Sequence, residues 1–162
     1  METGNQESQD LYKQRVKLDP IEETLMKLRD EGIATCSFMV NGFPNQTIDD
    51  MKRSIEWVCT LIAKDLLQAS YLFGLVPYPG SEMFEHPEKF GMTLHHKNFK
   101  LYHEEMPPVF DSPYAKSDAV YEQFLSGVKN LGQAMSKKAY FGEIPPPTEL
   151  SLYGTFWSDP HV

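Results

Sequence analysis

Hydrophobic and polar positions along the first half of the chain predict the order helix, strand, helix, strand. Asp19, Pro20 and Glu22 have the pattern of a capped helix start, and Gly32 is a favourable residue at a helix end. Residues 33–40 (IATCSFMV) are apolar on both alternating faces, which predicts a strand covered on both sides. Gln6 to Arg15 could form a short helix before this one, and a glycine turn joins the Asp19 helix to the strand.

A second helix and a second strand follow a sharp turn at Gly42–Pro44. Thr47 and Asp50 predict a capping box, after which apolar residues recur at helical spacing up to Ile62. Residues 66–73 predict the second strand, and the two strand starts are separated by roughly the 30 residues of a βαβ unit. Because such crossovers are right-handed, the two strands should be parallel. Turns that follow parallel strands lie at the edge where these sheets bind ligands.

The remaining sequence has weaker periodicity and predicts one long helix. Ser81 can cap a short helix, which a proline soon ends. Residues 91–116 are irregular and rich in His, Tyr, Phe and Pro, and Ser117 predicts the cap of a helix that ends near Lys138. We therefore divide the chain into three parts, which are residues 1–90, an extension of residues 91–138, and a proline- and aromatic-rich tail of residues 139–162.

Composition and charge restrict the classes of function. The chain of 162 residues is 41% hydrophobic and has a net charge of −8, which disfavours a broad grip on nucleic acid or on an anionic membrane surface. No apolar run approaches the ~20 residues of a membrane span, and the polar residues 1–10 lack the pattern of a secretory signal. Cys36 and Cys59 lie in apolar stretches and predict two reduced core cysteines. We expect a cytoplasmic protein.

Three short motifs occur in order beside the predicted strands. They are ETGN (2–5) at the start, NGFPNQT (41–47) after the first strand and VPYPGS (76–81) after the second strand. In this order and spacing the motifs resemble those of the radical S-adenosylmethionine enzymes, and the resemblance covers roughly residues 1–90. It is closest to the large branch of that family that includes cobalamin-dependent and methyl-transferring members.

The resemblance implies an α/β fold, namely a half TIM-like barrel of about three parallel βα units followed by a mainly helical and irregular extension. It implies binding of S-adenosylmethionine, a [4Fe-4S] cluster and, in the related branch, cobalamin. The family's three-cysteine loop is missing here, because Cys36 and Cys59 are the only cysteines. We therefore expect no metal ligands in this chain. A partner N-terminal half of the barrel would hold the cluster, and the complete enzyme would act on a small-molecule substrate by radical hydrogen abstraction or methyl transfer.

The resemblance also assigns roles to individual residues at the strand ends. Glu2 would offer a carboxylate to the methionyl ammonium or the ribose hydroxyls of the cofactor. Gly42 and Pro44 would shape a turn that lets the backbone approach the cofactor. The turn after the second strand would flank the adenine. The candidate cofactor-binding residues are Glu2, Thr3, Gly4, Gly42, Pro44, Val76, Pro77 and Tyr78.

Other interpretations of the same residues stay open at this point. Each candidate residue is also compatible with ordinary turn formation or core packing, and the chain could be a non-catalytic α/β binding or interaction module that kept the scaffold. His95, His96 and His103 have no spacing typical of a metal site. A half barrel would leave an open sheet edge and an apolar inner face, which predicts self-association of the isolated chain.

Overall fold

The computed structural model describes residues 2–12 and 16–141, with side chains up to Lys137. Within these residues the chain is a mixed α/β protein with five α-helices and two two-stranded sheets. None of these helices is long and apolar enough to cross a membrane. The elements in chain order are α1 (Gln6–Tyr12), α2 (Ile21–Asp30), β1 (Cys36–Asn41), α3 (Ile48–Ala63), β2 (Ala69–Gly74), α4 (Glu82–Glu85), a 3₁₀ turn (Pro87–Phe90), β3 (Thr93–Leu94), a 3₁₀ turn (Phe99–Leu101), β4 (Phe110–Asp111) and α5 (Ser117–Phe141).

Strands β1 and β2 form the central sheet and are parallel, as the sequence predicts. Their register runs from the pair Cys36 and Ala69 to the pair Asn41 and Gly74. The connecting helix α3 begins at a complete capping box, in which Thr47 and Asp50 each bond the backbone of the other. The predicted strands and the predicted helix start are therefore confirmed, although both strands begin three residues later than the sequence suggests.

The N-terminal motif runs beside β1 on the side away from β2. The backbone N–H of Val40 donates to the carbonyl oxygen of Glu2 at 2.7 Å. This bond places the ETGN, β1 and β2 segments next to one another in chain order. The described residues show two hydrogen-bonded strands in this sheet, so the half barrel of three units stays a prediction.

Helices α3 and α5 cover one face of the central sheet, and the main core lies between them. Met39 of β1 packs with residues of both helices, among them Val58, Leu61 and Leu131, all of which are almost fully buried. At the same face the Ser37 and Ser70 hydroxyls are hydrogen-bonded at 2.7 Å and are also buried. Burial of these apolar side chains provides the main driving force for folding.

The opposite face of the central sheet is open in the described chain, and we call it the open face. It consists of the alternate residues of both strands, which are Cys36, Phe38, Val40, Ala69, Tyr71 and Phe73. Phe38 is 53% exposed and its ring stacks on Tyr71 with centroids 5.4 Å apart. The expectation of a strand covered on both sides is wrong for the described residues, because α3 and α5 both pack on the other side. Cys36 is accordingly exposed, not part of the core.

The start of helix α2 differs from the prediction, whereas its end agrees with it. At the start of α2, Pro20 is the capping residue and no side chain caps the helix, so the proposed Asp19–Glu22 box is wrong. The Glu22 carboxylate instead pairs with Lys64. The end of α2 follows the prediction, because Gly32 has φ +71° and donates to the carbonyl of Arg29.

The extension that follows residue 90 packs with α4 around a second, smaller core. Phe84, Met92, Tyr102, Val109 and Phe110 form this second cluster. Ser117 is the first residue of α5 and not its cap. The Asp111 carboxylate accepts its backbone N–H at 2.9 Å. Ser81 does cap α4, as the sequence predicts. Residues 142–162, most of the tail that we defined by sequence, lie outside the described residues.

We expect the substitution Gly4→Ala to destabilise the fold. A Cβ at this position would lie 2.9 Å from the Trp57 ring and 3.0 Å from the Ser54 Cα atom, and overpacking of this kind costs about 1–3 kcal/mol. The control is Gly132→Ala, since a Cβ there meets nothing within 4 Å and removal of a helical glycine gains up to about 1 kcal/mol. Urea unfolding measures both changes, and equal stability of the two variants would contradict this packing.

The open face predicts that the isolated chain self-associates and that Phe38→Ser weakens this association. Truncating an aromatic anchor at an interface typically weakens binding by about tenfold or more. Sedimentation velocity over a range of concentrations provides the measurement. Lys52→Ser is the control, because this side chain is on exposed α3 surface. A wild-type chain that stays monomeric at high concentration would contradict the prediction.

Candidate functional site

Both glycine- and proline-containing turns leave the central sheet at the same edge. Asn41 and Gly74 are paired in register as the last residues of β1 and β2. Beyond this pair the backbone N–H of Leu75 donates to the Asn41 carbonyl at 2.9 Å. The turns that begin at Gly42 and at Leu75 therefore start side by side at the carboxyl ends of parallel strands, which is the usual position of ligand sites in such sheets.

The turn after β1 depends on a glycine. Gly42 has φ +95°, a conformation that L side chains rarely adopt, and a Cβ there would lie 3.0 Å from the Val120 side chain of α5. The next residues are held internally, since Gln46 donates its backbone N–H to the Phe43 carbonyl at 2.9 Å. Pro44 is buried within this turn. The turn is thus a rigid element that α5 supports from one side.

Thr3 connects the N-terminal motif to this turn and to α3. Its side chain is fully buried, and its hydroxyl accepts from the Gln46 amide at 2.7 Å and lies 3.3 Å from the Ser54 hydroxyl. The neighbouring Gly4 donates its backbone N–H to the same Ser54 hydroxyl at 3.2 Å. Two of the three sequence motifs are therefore in direct contact through Thr3 and Gln46, and Ser54 joins the first motif to α3. Neither of these two residues was a candidate from the sequence.

The turn after β2 is joined to a residue of the extension, Glu104. Tyr78 donates its hydroxyl to the Glu104 carboxylate at 2.9 Å, while the Glu104 carbonyl accepts the backbone N–H of Gly74 at 2.6 Å. A Cβ on Gly74 would lie 2.8 Å from that carbonyl oxygen, so only glycine permits this approach. Pro77 is buried and Val76 is half-buried. The chain around Glu104 thus crosses the end of β2 beside the candidate residues.

Glu104 changes the acidity of Tyr78. Partial burial raises the pKa of the Tyr78 hydroxyl, and the hydrogen bond and negative charge of Glu104 raise this pKa further. The sequence identified residues 91–116 only as an irregular segment rich in His, Tyr, Phe and Pro. It could not single out Glu104, because the signal is a contact between residues 26 positions apart.

Possible metal donors do not converge in the described residues. These residues contain no group of three or more His, Cys, Asp or Glu side chains that could hold a metal ion. Cys36 and Cys59 are both free, the first on the open face and the second half-buried in α3, where burial raises the pKa of its thiol. His95 lies 3.3 Å from the Asp111 carboxylate. The cysteines of this chain therefore do not fit a [4Fe-4S] cluster, which needs several thiolates at one place.

Comparisons with models of protein families and with curated proteins find no match to this chain. The interpretation of the site therefore depends on its own geometry and on the three motifs. Of the candidate residues, Gly42, Val76, Pro77 and Tyr78 lie at the shared strand edge. Thr3 and Gly4 pack between the Gly42 turn and α3, and Glu2 lies alongside Val40.

We predict that Glu104→Gln lowers the pKa of Tyr78, because the substitution removes the neighbouring negative charge. A raised tyrosine pKa means that the folded state favours the neutral phenol. This contribution to stability is present below the unfolded pKa of about 10 and is lost as the pH rises through the folded pKa. Ultraviolet difference titration against Tyr78→Phe isolates this one tyrosine. Glu105→Gln is the matched control, and an equal effect of both substitutions would refute the assignment.

Proposed function

We propose that this chain is the C-terminal half of a radical S-adenosylmethionine enzyme and supplies loops that orient the cofactor and face the substrate. One observation carries the proposal. The NGFPNQT and VPYPGS turns begin from paired residues, Asn41 and Gly74, at the carboxyl edge of two parallel strands joined by a helix. Two motifs that are distant in sequence thereby leave the sheet at one edge, and the ETGN motif contacts the first of them through the Thr3 and Gln46 side chains.

The backbone at this edge is suited to hold a nucleoside-containing cofactor. Gly42 gives the first turn its φ of +95° and its close approach to α5, and the neighbouring turn after β2 carries the half-buried Val76 and the exposed Tyr78. The resemblance assigns the methionyl end of the cofactor to the Glu2 carboxylate. When bound to a reduced cluster, S-adenosylmethionine supplies either a carbon radical that abstracts hydrogen or a methyl group.

The cluster itself does not fit the cysteines of this chain, so its ligands would come from a partner N-terminal half. Cobalamin enters the proposal only through the branch that the motifs resemble. In such an assembly the open face would line the interior of the barrel, and the rings of Phe38, Tyr71 and Phe73 would face a small-molecule substrate. The same arrangement requires a reducing compartment such as the cytoplasm.

A second candidate function is a non-catalytic α/β binding or interaction module. It is favoured by the structural use of the N-terminal motif, since the Thr3 hydroxyl is engaged by Gln46 and Ser54 and Gly4 is required by close packing against Trp57. A scaffold that lost its chemistry could retain these residues for stability alone. The two candidates differ in whether the shared strand edge contributes to cofactor cleavage.

Co-expression with an N-terminal half-barrel that carries the three-cysteine loop tests the proposal. After anaerobic iron–sulfur reconstitution we expect cluster absorbance and reductive formation of 5′-deoxyadenosine or methyl transfer. Tyr78→Ala should lower cofactor turnover by about tenfold or more, because small displacements of a reacting group have large effects on rate. The matched control is Leu125→Ala, an exposed apolar residue on α5.

The result separates the two candidate functions. Cofactor cleavage that depends on Tyr78 but not on Leu125 supports the enzyme half. The enzyme half is rejected if the cluster-loaded N-terminal half cleaves S-adenosylmethionine at the same rate alone and in a stable complex with this chain. Failure to form any complex with several N-terminal halves, while the chain itself is folded, would favour the interaction module.

A further inference from the structure

A groove runs between helices α3 and α5, on the side of the central sheet opposite the open face, and we call it the helix groove. Its volume is about 750 Å³. The lining residues recur at helical spacing on each helix, so the groove follows one face of α3 and one face of α5. Cys59 and Ala63 line it on α3, and Asn130, Ala134 and Lys137 line it on α5.

The floor of the helix groove is apolar, and its polar residues reach solvent. Ile55 and Ile62 belong to the lining and are only 2% and 1% exposed, so they close the bottom of the groove. Cys59 and Ala134 are half-buried and Ala63 is exposed, which leaves apolar surface between the two helices. The other lining residues are polar, and all of them are exposed. An uncharged apolar segment could therefore cover the floor without burying an unpaired charge.

The chain leaves α5 beside this groove. Lys137 is four residues before Phe141, where α5 ends, which corresponds to about 6 Å at ~1.5 Å per residue. Asn130, at the far end of the lining on α5, is about 16 Å from the helix end by the same measure. Three consecutive prolines follow at residues 145–147, and proline does not fit a helix interior. The residues beyond these prolines can therefore return along α5 towards the groove.

We propose that residues 153–157 (YGTFW) bind in the helix groove of the same chain. This segment carries no charged residue and contains every Phe, Trp and Tyr that follows Phe141. Five extended residues span about 16 Å, and the lining of α3 from Ile55 to Ala63 advances by about 12 Å. The segment thus matches the groove both in its apolar character and in its length.

The connection to α5 favours the chain's own segment over that of a second copy. Tyr153 follows Phe141 by twelve residues, which reach up to about 40 Å when extended. This reach is more than twice the distance to the far end of the groove. A short flexible linker gives an effective concentration in the millimolar range, so a second copy at micromolar concentration competes poorly. The bound segment would attach the end of α5 to α3 and would shield Cys59 from solvent.

Alkylation of Cys59 in the full-length chain tests the proposal. Cys36→Ser leaves Cys59 as the sole thiol, and its reaction with iodoacetamide is followed by mass spectrometry. Phe156→Ser combined with Trp157→Ser should raise the rate by about tenfold, the protection expected when an effective concentration of about 1 mM meets a dissociation constant of about 0.1 mM. The matched control is Val162→Ser, an apolar substitution outside the segment, which should leave the rate unchanged.

The other cysteine provides a control within the same molecule. With Cys59→Ser, the remaining Cys36 thiol lies exposed on the open face. Its alkylation rate should not respond to the Phe156 and Trp157 substitutions, because the sheet separates it from the helix groove. A synthetic peptide of residues 150–160, added to the doubly substituted chain, should restore the protection of Cys59 saturably at about 0.1 mM.

Protein concentration distinguishes the chain's own segment from that of a second copy. Protection of Cys59 should be constant between about 1 and 100 μM chain, because binding within one chain does not depend on concentration. Protection that increases with concentration would assign the groove to a second copy and overturn the proposal. Equal alkylation rates of the wild-type and doubly substituted chains, both with wild-type circular dichroism, would also overturn it. An equal increase of the rate with Val162→Ser would do the same.

Discussion

The parallel pairing of β1 with β2 is the constraint on which the rest of this structure depends. Parallel neighbours cannot be joined by a short hairpin, so α3 must return the chain along the sheet and covers one face in doing so. The same pairing brings the Asn41 and Gly74 ends to one edge, from which both motif turns leave. Because α5 packs on the same side as α3, the aromatic residues of the other side have no cover within the described chain. The shared strand edge and the open face are thus two consequences of one arrangement.

Local signals in the sequence were sufficient to predict the order of α2, β1, α3, β2, α4 and α5, but not the short strands β3 and β4. The Thr47–Asp50 capping box, the glycine at the end of α2 and the start of α4 are each determined by neighbouring residues, and each was predicted correctly. The predicted cap at Asp19 is not formed, and the Glu22 carboxylate pairs with Lys64, a residue far away in the sequence. At α5 the Asp111 carboxylate, six residues earlier, accepts the backbone N–H of Ser117. Side-chain partners set by tertiary structure cannot be inferred from a local pattern.

The candidate site was predictable at the level of segments but not of contacts. The motifs identified the turns, and parallel strands imply that these turns meet. No local pattern indicates that Gln46 and Ser54 would bond the Thr3 hydroxyl, or that the chain around Glu104 would cross the end of β2. These contacts give the glycines and the threonine of the motifs a structural role in addition to any role in binding. A motif of this kind can therefore persist for two independent physical reasons.

The buried pair of Ser37 and Ser70 has a further consequence for how β2 finds its place. If β2 slipped by one residue, Ser70 would turn to the open face and the Tyr71 ring would turn into the tightly packed helix-covered core. The Ser37 hydroxyl would then be buried without its partner, which costs about 1–3 kcal/mol. Gln68 strengthens the selection, because its side chain accepts the Thr35 backbone N–H at 2.6 Å just before the strands pair. The hydrogen bond between the two hydroxyls therefore favours one register for an otherwise apolar pair of strands.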